Sequence, residues 1–224
     1  MITWLTHAKV RLALHTLRPA ADGGDGGGAD GAGKPLLLLH PLAMSSPATL
    51  PPEVAAWPHA VHALDFTGHG SSTVPAGGGY TAETLMADVD TALVHLGPAT
   101  LCGAGLGAYV ALLIAGARPQ LVRGAILRDG PGLAGGSPSP TSTVIRPPDP
   151  GATSTPDPFA LAELSQDVRP PDYATAYVRQ ALHLSGLEHP VSVCAVARPD
   201  WLAAVVAEPG VVCSDLDAAL RRYA

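Results

Sequence analysis

The chain has 224 residues, enough for one domain, of which 47% are hydrophobic and 14% charged. That apolar, lightly charged composition excludes a disordered chain. The net charge of −6 comes without any basic run, which argues against nucleic acid as a partner.

The three cysteines, Cys102, Cys194 and Cys213, are widely spaced. They fit neither a disulfide framework nor a zinc site and read as small buried hydrophobes in a reducing compartment. Residues 1–10 contain no continuous apolar segment of the kind a secretory signal needs. The most apolar stretch, Leu106 to Ala117, is 12 residues long, too short to span a bilayer. The expectation is a cytoplasmic protein with no membrane partner, no metal and no cofactor. The wealth of Ala, Gly and Pro with little Lys points to a bacterial, high-GC genome.

In chain order, the alternation Val10, Leu12, Leu14 predicts a strand. Residues 20–34 are a Gly/Asp/Ala tract that cannot bury enough apolar surface to offset its ordering entropy. They read as a flexible hairpin loop between two early strands, or as a linker after an N-terminal strand. Leu36 to Leu39 and Ala60 to Asp65 are short apolar runs of the kind that form strands buried on both faces. The second runs into the glycine turn Gly68-His69-Gly70. Leu85, Val89, Leu93 and Leu96 mark an amphipathic helix over 81–96, with Thr81 as N-cap and Gly97-Pro98 as its stop.

A third strand, Ala99 to Cys102, turns at Gly103-Ala104-Gly105-Leu106-Gly107 into an apolar helix over 108–117. A fourth strand covers Val122 to Leu127, ending at Arg128-Asp129-Gly130. Residues 131–158 have no apolar period and read as a long loop or lid. Helices are expected near 158–168 and 172–186, a fifth strand over Val191 to Val196, a short strand Val211 to Cys213 and a helix Asp215 to Tyr223. Strands alternating with helices in this way predict an α/β fold with a doubly wound, mostly parallel sheet, in a single domain of residues 1–224. Residues 131–190 are expected to form a reduced lid or cap. The turns at His40, Asp65, Gly105, Asp129 and Asp200 then lie at strand carboxyl ends, where such sheets place their ligands.

Three segments carry a family resemblance. Leu36–Leu39 followed by His40-Pro41-Leu42 resembles the strand and oxyanion loop of the α/β-hydrolases. Asp65-Phe66-Thr67-Gly68-His69-Gly70-Ser71-Ser72 resembles their Asp-x-x-Gly-His-Gly-x-Ser turn. Gly103-Ala104-Gly105-Leu106-Gly107 resembles the Gly-x-Ser-x-Gly nucleophile elbow. The resemblance covers about residues 36–205. It implies an oxyanion hole made by the backbone amides of Leu106 and Leu42, and a pocket lined by His40, Leu42, Gly105, Leu106 and Asp129. It also makes Asp129 and Asp200 the residual candidates for a catalytic acid.

Two parts of the pattern are missing. Glycine stands at position 105, where the family carries its nucleophile, and no histidine follows His189. Without nucleophile and base the usual acyl-enzyme route fails, although a hole of backbone dipoles can still bind an anion or carbonyl oxygen. The elbow sequence also admits a phosphate loop, and Cys102 is an alternative nucleophile. His69 is expected to organise its own turn, and His183 and His189 to be surface histidines. A glycine elbow followed by Ala-Tyr is similar to the N-myc downstream-regulated family, which is described as non-hydrolytic. The sequence thus points to a triad-less α/β-hydrolase-fold protein binding a small-molecule ligand or a protein partner, a homodimer included. The competing reading is an esterase- or lactonase-like enzyme with an atypical constellation, for which Asp129 or a water over the Leu106 amide would be the base.

Overall fold

The computed structural model describes residues 1–20, 34–133, 155–166 and 169–224. Among these, eight strands form one sheet in the order β1-β2-β4-β3-β5-β6-β7-β8. The strands are β1 Ile2–His7, β2 Val10–Arg18, β3 Leu36–Leu39, β4 Val61–Leu64, β5 Ala99–Ala104, β6 Val122–Arg128, β7 Val191–Val193 and β8 Val211–Cys213. The β1–β2 and β2–β4 pairs are antiparallel and all later pairs parallel. The helices are α1 Ala82–Leu96, α2 Leu106–Ala117, α3 Pro158–Gln166, α4 Pro171–Leu184, α5 Asp200–Val206 and α6 Leu216–Tyr223.

The run of four leucines in β3 is buried throughout because the sheet is covered on both faces. Leu37 and Leu39 join Leu101, Ala125, Leu127 and Val191 under α1, α2, α4 and α5. Leu36 and Leu38 join Cys102, Ile126 and Val61 on the opposite face, under Trp57 and the α6 residues Leu220 and Tyr223. Side chains two apart on a strand share a face, so Cys102 points away from α2. Helix α2 is buried along almost its whole length. It crosses α4 so closely that a Cβ on Gly116 would meet the Tyr177 backbone.

Several sequence expectations are sharpened by local bonding. Thr81 caps α1 by accepting the Thr84 amide at 3.2 Å. Helix α2 begins at Leu106, two residues earlier than its apolar run suggests, because Gly105 is its N-cap. Strand β7 stops at Val193, three residues short of the expected end, where the chain turns to offer the Val196 and Ala197 amides to Asp129. The hairpin reading of 20–34 is corrected. Those residues join β2 to β3, which are separated in the sheet by β4, and the N-terminal hairpin turns instead at Ala8-Lys9. Residues 21–33, and most of the expected 131–158 loop, lie outside the described residues. Within the 131–190 stretch, α4 packs on α2 and α5 as part of the helical layer. Helix α3 is tied to the loop before α1, where Glu163 accepts the Gly79 and Tyr80 amides at 2.8 and 2.6 Å. Among the described residues no helix is long and apolar enough to cross a membrane.

Candidate functional site

Strand β5 ends at Ala104 and α2 starts at Leu106, so the reversal falls on Gly105, at φ 55° and ψ −119°. A side chain in such a conformation costs roughly 1–3 kcal/mol. Hydrolases of this fold sustain that strain to expose a nucleophile, and glycine avoids it. The flanking glycines are set by close approach. A Cβ on Gly103 would fall on the Gly107 carbonyl, and one on Gly107 would fall on the Leu39 carbonyl.

The amides of Leu42 and Leu106 converge as the sequence led us to expect, each 3.0 Å from a single oxygen. Both distances suit an oxyanion hole. The oxygen is the carbonyl of Pro131, from the chain itself. The expectation of a hole free to take an anion or a substrate carbonyl is therefore corrected. A Cβ built on Gly105 would collide with that same oxygen and lie 2.7 Å from the Gly130 carbonyl carbon. The backbone of residues 130–131 fills the space that a nucleophile's side chain would need.

Three contacts hold this loop down. Asp129 accepts the Val196 and Ala197 amides at 2.7 and 2.9 Å, fixing the loop to the chain leaving β7. The Trp201 indole of α5 donates to the Leu133 carbonyl at 2.8 Å and stacks edge-on against Tyr109 of α2, with ring centroids 4.9 Å apart. Gly132, at φ 80°, wedges between Leu42 and Leu106, where a Cβ would come within 2.9 Å of both side chains. Asp129, a candidate acid, thus spends both oxygens on backbone amides and not on an imidazole. Asp200, the other candidate, is exposed in the first turn of α5, a place where a carboxylate complements the helix dipole.

The histidines serve the scaffold. His40 is buried and donates from Nδ1 to the Pro41 carbonyl at 2.8 Å, while Nε2 accepts the Phe66 amide at 3.1 Å. Burial, with repulsion from His69, pushes its pKa down to about 3, so it is neutral. His69 lies inside its own turn and donates to the Thr67 carbonyl at 3.1 Å. Burial lowers its pKa as well. His189 precedes β7, at the amino end of the sheet, and bonds the Gly210 carbonyl, while His183 is exposed on α4. Among the described residues no imidazole hydrogen-bonds a serine or cysteine.

Two buried acids support the site: Asp65, which opens the glycine turn read in the sequence, and Asp88, which the sequence reading did not single out. Asp65 accepts the Ser46 and Ser71 amides at 2.7 and 2.8 Å and His15 Nε2 at 2.9 Å. Burial alone would raise its pKa, but these bonds hold it below the ordinary value. Asp88 of α1 accepts the Thr67 amide and hydroxyl at 2.8 and 2.9 Å. There burial wins over the hydrogen bonds and lifts the carboxyl to about 7. Both residues fix the turn that follows β4.

Space opens beside the elbow, on the α6 face of the sheet. A cavity of about 300 Å³ lies at the carboxyl ends of β3, β5 and β6. The pairings Leu38↔Cys102 and Ala104↔Arg128 put these side chains on its floor, and Pro41, Met44 to Pro47, Pro51 and Glu53 close it from the other side. His40 lines it with its ring. Leu42, Gly105, Leu106 and Asp129 do not line it, so the expected pocket is divided between this cavity and the filled hole. Cys102 is buried, and burial pushes its thiol up to about 11, with Arg128 opposing only in part. That is the character of an inert thiol, which corrects the alternative of Cys102 as nucleophile. Arg128 and Glu53, 3.3 Å apart, were not singled out in the sequence. Arg128 was legible only as a charge ending an apolar strand.

The strand order, the elbow and the two converging amides define a protein of the α/β-hydrolase class. The profile of the alpha/beta hydrolase fold family matches residues 34–187, and the chain belongs to that family. Solved structures of the same fold include a hypothetical protein of Pseudomonas aeruginosa PAO1, with TM-score 0.63 and 17% identity, covering 99% of this chain and 97% of that one. A haloalkane dehalogenase loop variant from Bradyrhizobium elkanii has TM-score 0.62 and 18% identity over 96% of this chain and 88% of its own. The thioesterase domain of the curacin biosynthetic pathway has TM-score 0.60 and 18% identity over 100% and 97%. At these identities the likeness concerns the fold. A search of curated protein sequences gave no match.

Proposed function

We propose that this protein is a non-hydrolytic member of the α/β-hydrolase fold that binds a small molecule in the cavity beside its elbow. The observation that carries this reading is the Pro131 carbonyl, which takes both oxyanion-hole amides at 3.0 Å directly above Gly105. A substrate carbonyl would have to displace a main-chain bond pair and would then meet no nucleophile. The loop between β8 and α6, where the family carries its base, is only Ser214 and Asp215 and holds no histidine, which supports the reading independently. In a triad that acts as a unit, loss of the nucleophile or the base alone costs several orders of magnitude in rate. The cavity volume, about 300 Å³, suits a small ligand. In this reading residues 1–224 are one unit in a reducing, cytoplasmic setting, which suits the three free cysteines.

The test is a panel of p-nitrophenyl esters, from acetate to octanoate, together with acyl lactones. The expected result is turnover at the buffer rate, unchanged in Asp129→Asn and Asp200→Asn. Turnover far above buffer that disappears in either variant overturns the reading in favour of an atypical hydrolase.

A further inference from the structure

The cavity beside the elbow carries a more specific chemistry. Its walls are mainly apolar, from Leu38, Leu39, Pro41, Met44 and Pro51. His40 brings only its ring, because both nitrogens are spent on Pro41 and Phe66. Among the described lining residues Arg128 is the one cation and Glu53 the one carboxylate.

The two are not well matched to each other. A guanidinium presents five donors in a rigid fork, and its good carboxylate partners sit at about 2.7–2.9 Å, often in pairs. Glu53 meets Arg128 through one oxygen at 3.3 Å. Their side chains are 43% and 30% exposed, so the pair contributes little. Arg128 is fixed at the end of a central strand, whereas Glu53 rides on the short 3-10 turn Pro52–Val54. Of the two, Glu53 is the one that can swing away.

We propose that the cavity binds a small monocarboxylate with an unbranched apolar tail, its carboxylate replacing Glu53 on the Arg128 fork and its tail lying along Leu38, Pro41 and Met44. This rests on the small-ligand reading above and names the ligand class. A dianion such as a phosphate monoester would need a second cation, and the described lining supplies one. An amine would have to rely on Glu53, the more exposed and less fixed partner.

The experiment is calorimetric titration of the full chain with octanoate, methyl octanoate and octylamine. Charge-assisted hydrogen bonds are worth about 1.5–3 kcal/mol, so octanoate should bind about tenfold or more tighter than either control. Arg128→Met should weaken octanoate by a similar factor. Glu53→Gln, which keeps Arg128 and removes the competitor, should strengthen it. Equal affinity for the three head groups, undiminished binding in Arg128→Met, weaker binding in Glu53→Gln, or no binding at all overturns the proposal. The failures separate cleanly. Absence of octanoate binding in a protein inert to esters sinks the carboxylate site alone, whereas ester turnover sinks the non-hydrolytic reading whatever octanoate does.

Discussion

The carbonyl oxygen of Pro131 accepts the amide of Leu106 at 3.0 Å, the bond that a hydrolase of this fold would keep for its reaction intermediate. The Leu42 amide completes the pair on the same oxygen. Gly105 and Pro131 are therefore coupled, since the loop can descend only because position 105 has no side chain.

Restoring the serine should accordingly do harm without restoring chemistry. Gly105→Ser forces a side chain into φ 55° and against the backbone of Gly130 and Pro131. Backbone strain and overpacking each cost roughly 1–3 kcal/mol. A denaturant melt should show a loss in that range, with ester turnover still at the buffer rate. An unchanged midpoint would mean that the loop yields freely.

Asp129 acts on this account as a tether. Asp129→Ala frees the Val196 and Ala197 amides and loosens the loop, while the sheet stays intact. Hydrogen exchange followed residue by residue should quicken at Leu42 and Leu106 more than in the α2 interior. Trp201→Phe, which removes the indole bond to Leu133, should give the same pattern at a cost of about 1–2 kcal/mol. Exchange that rises uniformly over the molecule would argue against a local latch.

Much of this was open to sequence reasoning, and the limits have physical causes. Leu36–Leu39, the Thr81 cap and the Gly103–Gly107 turn are local signals, and each element formed where its residues indicated. The Leu42 and Leu106 donors followed from the resemblance of His40-Pro41-Leu42 and Gly103–Gly107 to the family's oxyanion loop and elbow. The plug did not, because a main-chain carbonyl has no side-chain signature and Pro131 could have pointed anywhere. The Arg128–Glu53 pair joins residues 75 apart, and no local pattern connects them. Helix α5 was hidden by its brevity, and β1 by the lack of a clean apolar/polar alternation, since this edge strand exposes Ile2 and Trp4 and buries only Leu5.

Asp88 should leave a mark on the pH dependence of stability. Its folded pKa, about 7, lies above the ordinary 3.8. A carboxyl raised in this way contributes stability that is complete below pH 3.8 and is lost as the pH rises to about 7. His40 runs the other way. It is lowered from 6.5 to about 3, so its contribution is complete above pH 6.5 and is lost as the pH falls toward 3. Asp88→Asn should therefore gain melting temperature over the parent as the pH goes from 5 to 8. Parallel melting curves for the two proteins would show that Asp88 is not protonated in the fold.

The thiols should separate by reactivity. Cys102 is buried with its pKa pushed up to about 11, while Cys213 is exposed. Iodoacetamide at neutral pH should label Cys213 in the native protein and leave Cys102 intact until unfolding. Peptide mapping that finds Cys102 alkylated first would reopen its claim as a nucleophile.

The most direct measurement of the central claim is intact mass after exposure to a fluorophosphonate, a reagent that an activated serine seated beneath an oxyanion hole captures covalently. With Pro131 occupying the hole over a bare Gly105, the mass should remain that of the unmodified chain. One phosphonyl group per chain, mapped to a residue beside the elbow, would contradict the account.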